Sequence, residues 1–142
     1  MRLRFTTLTI FSVMLITLVA SAQKSIIPTP RSYEVANGVY TLSTDATVGY
    51  SDERLRPIAD YLMEYVDLTI ADGCGGDITL NIDSSMSEEQ YCLQVTVGGV
   101  TIKGGSYAGV FNGVTTFLQL LPADVYAKQL SLPVRIECCR ID

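Results

Sequence analysis

Few side chains in this sequence could do chemistry, and their spacing settles most of them. The chain has no histidine. That removes Ser-His-Asp and Cys-His nucleophiles, His-ligated zinc or iron, and the usual acid/base group near neutral pH. Carboxylates remain. Asp52-Glu53 is the one Asp-Glu dipeptide, Asp60, Glu64 and Asp67 form an acidic stripe, and Glu88-Glu89 are adjacent. Paired carboxylates can serve as general acid and base. Their positions argue for plainer roles. Asp52 follows Ser51 just ahead of a helical pattern, where an acid caps the first turn. Arg56 lies four residues before Asp60, so the stripe reads as a solvated helix face with one ion pair. Glu88-Glu89 reads as a solvated turn.

The cysteines are Cys74, Cys92, Cys138 and Cys139. They lack C-x-x-C spacing, which a thiolate metal site would need. A bridge between the neighbours Cys138 and Cys139 would be strained. A bridge from Cys92 to one of them is open if their strands pair, and at least two of the four are expected to be buried thiols. A phosphate cradle is also excluded. Gly104-Gly105 follows a strand and precedes a helix, but neither G-x-G-x-x-G nor a Walker lysine is present. No catalytic residue, cofactor or metal is expected.

The length, 142 residues with 48% hydrophobic and 18% charged, suits one domain. The net charge is −5. It becomes −7 without Arg2 and Arg4, which lie in a segment that reads as cleaved. That balance argues against nucleic acid or an anionic membrane surface as partner. The absence of tryptophan weakens a reading as a sugar-binding module with aromatic platforms. Residues 1–22 read as a secretory signal peptide. Arg2 and Arg4 give a positive start, Leu8 to Val19 an apolar core, and Ala20 and Ala22 the small residues read by the peptidase before Gln23. The apolar run falls short of the about 20 residues a membrane span needs. The expected location is the periplasm or the extracellular space, with no membrane attachment after cleavage and Gln23 to Asp142 as the exported domain.

Ser25 to Arg31 carries two prolines and reads as an extended arm. Tyr33–Val35 and Val39–Leu42 are short strands around Asn37-Gly38, a hairpin turn signal. Ala46–Tyr50 is a third. A helix is expected from about Glu53 to about Leu68, on the spacing of Leu55, Ile58, Ala59, Leu62, Met63 and Val66. Pro57 should delay or bend its start. Ile78–Ile82, Gln90–Val97 and Val100–Lys103 are strands, the last two joined at Gly98-Gly99. A second helix should span Tyr107–Leu121, capped by Ser106 and stopped by Pro122. Leu132–Cys138 is the last strand. The fold class is α+β: a mostly antiparallel sheet with two helices packed on one face.

The second helix is the most informative element. No charged residue occurs from Gly104 to Ala123. On a wheel, Leu120, Phe117, Val110, Leu121, Val114, Leu118 and Phe111 fill one half. Thr115, Ala108, Gln119, Asn112, Thr116, Gly109 and Gly113 fill the other. A helix without a charged face is buried on more than one side. The small side is expected to meet a second body, with Gly105, Gly109 and Gly113 as a ridge of close approach. The segment's Ser, Asn, Gln, Thr and Pro make it too polar for a membrane.

Glu89-Gln90-Tyr91-Cys92-Leu93, Val100-Thr101-Ile102-Lys103-Gly104 and Ala108 to Leu121 carry a resemblance. They resemble the pattern "E-x-Y-x-L … V-x-I-x-G … A-G-x-F-x-G-x-x-T-L-x-Q-L" of the N-terminal domain of the β-N-acetylhexosaminidases, glycoside hydrolase family 20. Phe117 stands where that family usually has Leu. Ile26-Ile27-Pro28-Thr29-Pro30 resembles the domain's opening "I-x-P-x-P". The resemblance implies a sheet that holds two helices against a catalytic (β/α)8 barrel. It implies that Gly109, Phe111, Gly113, Phe117, Gln119 and Leu120 lie on the packing helix. It also implies that the catalytic Asp-Glu pair sits on the barrel, absent here, so that the chain is truncated relative to the enzyme and inactive alone. The alternative is a stand-alone exported module that binds a protein or a glycan.

Overall fold

The computed structural model describes residues 25–142. The signal segment, with Ala20 and Ala22, lies outside the described residues. Seven strands form one sheet: β1 (Tyr33–Leu42), β2 (Thr47–Tyr50), β3 (Thr69–Ile70), β4 (Ile78–Ile82), β5 (Tyr91–Thr96), β6 (Gly99–Gly104) and β7 (Val134–Ile141). Helices α1 (Arg56–Met63) and α2 (Tyr107–Leu120) complete the α+β fold. The spatial order is β1-β7-β5-β6-β4-β2-β3. Strands β1, β7, β5 and β6 pair antiparallel. Strands β6, β4, β2 and β3 pair parallel. The antiparallel ladders are the longer part of the sheet.

The hydrophobic pattern explains the layering. Ile78 and Leu80 of β4, Leu93 and Val95 of β5, and Val100 and Ile102 of β6 point to one face and are buried. Onto that face pack Ile58, Ala59 and Leu62 of α1 and Val110, Val114, Phe117 and Leu118 of α2, all in one core. Asp77 pins the parallel half. Its carboxylate accepts from the Thr47 N–H at 2.8 Å and from the Thr47 hydroxyl at 2.9 Å. Its carbonyl accepts from the Val100 N–H at 2.8 Å.

Three expectations change. Asn37-Gly38 does not turn a hairpin. The chain runs on as the single strand β1, which pairs along its length with β7 and shifts register between Val35 and Val39. Gly38, at φ +115°, lies in that shift, and a Cβ there would meet Val97 Cγ1 at 2.7 Å. A left-handed glycine suits a bulge as well as a turn, and the partner that decides between them arrives about a hundred residues later. The first helix is also shorter. A 3-10 turn at Glu53–Leu55 precedes it, Pro57 sits in its first turn, and it ends at Met63. Val66 and Leu68 stay buried, so the apolar spacing continues through a turn into β3. Finally, the last strand starts at Val134 and runs on to Ile141.

The register also decides the thiols. Cys139 pairs with Val95 and sits in the core, whereas Cys92 neighbours Asp142 outside it. The two therefore face away from each other, and all four cysteines are free.

Burial pushes the Tyr40 phenol up to about 12, with the Asp77 charge adding to it, and pushes the Cys139 thiol up to about 11, with Cys138 adding to it. Both groups are neutral in the folded state over a wider range than in the unfolded chain. Their contribution is complete below the ordinary values of 9 and 10 and is lost as pH rises toward 11 and 12. Melting temperature should therefore fall between about pH 9 and 12. Tyr40→Phe should flatten the upper part of that fall; an identical profile in the variant would assign the loss to other groups.

Candidate functional site

The candidate site is α2 and what it touches. Ser106 caps the helix, accepting from the Ala108 N–H at 3.1 Å while its hydroxyl donates to the Glu88 carbonyl at 2.7 Å. Asn112 Nδ2 donates to the Glu89 carbonyl at 3.2 Å. The Thr116 hydroxyl donates to the Tyr91 phenol oxygen at 2.8 Å. The turn before β5 and the start of β5 are thus fastened to α2 by polar side chains.

The glycine ridge faces this same junction. A Cβ on Gly109 would lie 2.4 Å from the Gln90 carbonyl oxygen, and one on Gly105 would lie 2.0 Å from that of Ser87. A Cβ on Gly113 would lie 2.5 Å from Ile102 Cγ2. The ridge that the wheel assigned to a second body is therefore filled by the domain's own sheet. Phe117 and Leu120 are buried within the domain as well. Alternate positions on one half of the wheel part company. Gly109, Gly113 and Thr116 turn inward, while Ala108, Asn112, Thr115 and Gln119 stay at least partly open.

The open stripe of α2 is bordered on both flanks. On one, Phe111 meets Tyr61 of α1 at a ring-centroid distance of 5.1 Å. The aromatic contacts continue from Tyr61 to Tyr65 at 5.1 Å and from Tyr65 to Tyr126 at 6.4 Å. On the other flank, Gln119 grips the arm of residues 25–31, which bends at Ile27, Pro28 and Arg31 instead of running extended as expected. Its Oε1 accepts from the Ile27 N–H at 2.8 Å, and its Nε2 donates to the Ile27 carbonyl at 2.9 Å. A side-chain amide here does what a neighbouring strand would do. The arm's Ile26 is buried in the core as a result. Neither wheel nor spacing showed this clamp; the family pattern includes Gln119, but Ile27 falls on a variable position of I-x-P-x-P, and their contact is not legible from either.

Gln119→Ala should free the arm. Two hydrogen bonds at about 1 kcal/mol each would be lost, softened by the exposure of the Ile27 groups to water. Limited proteolysis should cut the arm faster in the variant; equal rates would show that Ile26 burial alone holds it.

Asp52 and Asp60 behave as the spacing suggests, whereas α1 ends at Met63, so Glu64 lies at its C-cap and Asp67 beyond it, and the acidic stripe is not one helix face. Asp52 caps the 3-10 turn, accepting from the Arg54 N–H at 2.9 Å, and the hydrogen bonds from Arg54 hold its carboxyl down to about 2. Arg56 pairs with Asp60 at 2.8 Å and Lys128 with Glu64 at 3.3 Å. Arg140 closes on Asp142 at 3.1 Å beside a cleft of about 300 Å³ also lined by Asp83, Gln94 and Lys103. Among the described residues no helix is long and apolar enough to cross a membrane, and no group of three His, Cys, Asp or Glu could hold a metal.

The family model for domain 2 of glycosyl hydrolase family 20 matches residues 23–142. The chain belongs to that family. A β-hexosaminidase from Porphyromonas gingivalis is 32% identical over 124 residues, which cover 79% of this chain and 16% of that protein. The fold agrees with solved family 20 enzymes. The Streptomyces plicatus N-acetyl-β-hexosaminidase matches at TM-score 0.72 with 26% identity, covering 83% of this chain and 25% of that one. The Streptomyces coelicolor β-N-acetylhexosaminidase matches at 0.71 with 28% identity, covering 82% and 25%. The chain thus spans a quarter or less of these relatives' lengths. Tyr91, Gly104, Gly109, Gly113, Thr116 and Gln119 of the family 20 pattern all take part in the α2 junction, beside Ser106 and Asn112, which stand outside it.

Proposed function

We propose that this chain is the non-catalytic N-terminal domain of an exported β-N-acetylhexosaminidase, and that its helix layer packs against and stabilises the enzyme's catalytic (β/α)8 barrel. The observation that carries this reading is the outer stripe of α2. From Gly109 to Leu121 no residue is exposed even in the domain by itself. The open part, Ala108, Asn112, Thr115 and Gln119, carries no charge, and the aromatic row of Phe111, Tyr61, Tyr65 and Tyr126 runs beside it. Depletion of charge with enrichment in tyrosine is the composition of an interface core rather than of a solvated helix face. Asp52, Asp60 and Glu64 are engaged in a cap and in ion pairs, which supports a domain that leaves hydrolysis to the barrel.

The test supplies the chain to the P. gingivalis β-hexosaminidase produced without its matched segment. On a chromogenic N-acetylglucosaminide the chain alone should give no turnover. Added to the shortened enzyme, it should raise the melting temperature and the retained activity. Turnover by the clean chain, or no effect on the shortened enzyme, would overturn the reading.

A further inference from the structure

We infer that the arm is a third member of the docking layer, with Ile27 as an apolar anchor that the catalytic domain of the same enzyme covers. The inference rests on the reading above and adds a contact that helices alone would not supply. The Gln119 clamp fixes both backbone groups of Ile27, at 2.8 and 2.9 Å. The chain bends at Ile27. Ile26 enters the core at 5% exposure, and Ile27 points out at 75%. The outer layer therefore reads across the molecule as Tyr61 of α1, the open stripe of α2, then Ile27 of the arm.

The surroundings of Ile27 identify what covers it. The arm carries no charge from Ser25 to Pro30, and α2 with its flanks carries none from Gly104 to Ala123. These two segments touch through Gln119 and form a patch without charge of its own, bordered beyond Pro30 by Arg31, Glu89 and Asp142. With the Ile27 backbone already fixed by two hydrogen bonds, covering its side chain costs no further backbone ordering. Its relatives place a large body in the same enzyme: 84% of the P. gingivalis protein and 75% of the S. plicatus chain lie outside the region this chain spans. That remainder is the occupant to which the patch is assigned.

The experiment measures association between the whole chain and the P. gingivalis enzyme produced without its matched segment, by titration calorimetry. The unaltered chain should bind. Ile27→Asp and Ile27→Ala should each weaken binding about tenfold or more, as the loss of one buried apolar side chain implies. The melting temperature of the chain itself should hold, because Ile27 is exposed. Thr115→Arg, at the centre of the α2 stripe, is the control for the helix layer. Binding that Thr115→Arg abolishes and both Ile27 variants leave intact would overturn the arm's role while the helix-layer reading stands. Absence of binding by the unaltered chain would overturn both. Self-association of the chain that Ile27→Asp abolishes, without binding to the shortened enzyme, would assign the patch to a second copy and overturn the proposal.

Discussion

Gly109→Ala is expected to destabilise the domain by about 2 kcal/mol or more, although the same change in most helices stabilises. Alanine in a helix interior gains about 1 kcal/mol over glycine. Here the added Cβ would lie 2.4 Å from the Gln90 carbonyl oxygen, 2.9 Å from that of Glu88 and 3.1 Å from the Gly104 Cα. All three are backbone atoms of the sheet or of the turn leading into it, so no side chain can swing aside. The helix or the sheet must move, and Tyr91–Thr116 and Asn112–Glu89 would stretch with it. The clash therefore outweighs the propensity gain. A loss of about 2 kcal/mol corresponds to about 8 °C in melting temperature for a domain of this size. Gly75→Ala is the control, since a Cβ there meets nothing within 4 Å. It should melt within about 2 °C of the parent. A Gly109→Ala domain that melts higher than the parent would show that α2 does not sit this close to β5.

Phe117→Ala should cost about 3–5 kcal/mol, and Phe117→Leu only about 1 kcal/mol. Phe117 is fully buried on the sheet side of α2 and is among the largest core side chains. Truncation to alanine leaves a void among close-packed core side chains of both helices and the sheet, which relax into it only in part. Leucine keeps most of the buried apolar volume, and it is the residue that the resembled family 20 pattern has at this position. Denaturant unfolding of the two variants gives the ratio directly. Equal losses would mean that the aromatic ring fills a space leucine cannot, and that the surrounding core has been rebuilt around it.

The elements whose signals are local were legible in the residues. Ser106, the apolar spacing of Val110, Val114, Phe117 and Leu121, and Pro122 define α2 to within a residue. Alternation defines β4, β5 and β6. The Arg56–Asp60 pair and the Asp52 cap follow from spacing alone. What was not legible depends on partners distant in the chain. Asn37-Gly38 reads as a hairpin until β7 supplies a strand for β1 to follow. Cys92 reads as able to reach Cys139 until the β5–β7 register places the two on opposite sides. On the helical wheel Gly109, Gly113 and Thr116 share a half with Thr115 and Gln119; only the contact with β5 and β6 turns the first three inward.

The sequence by itself determined the family, the α+β class, the uncharged second helix and the lack of a histidine-based site. These follow from residue types at fixed short separations, which any fold must respect. Tertiary structure alone decided which surface of that helix remains open. Glycine ridges carry no direction of their own: they pack wherever backbone comes close, and here the nearest backbone is the domain's own sheet. The open surface passed instead to Thr115, to the tyrosine row and to Ile27, which is held there by a glutamine ninety-two residues away.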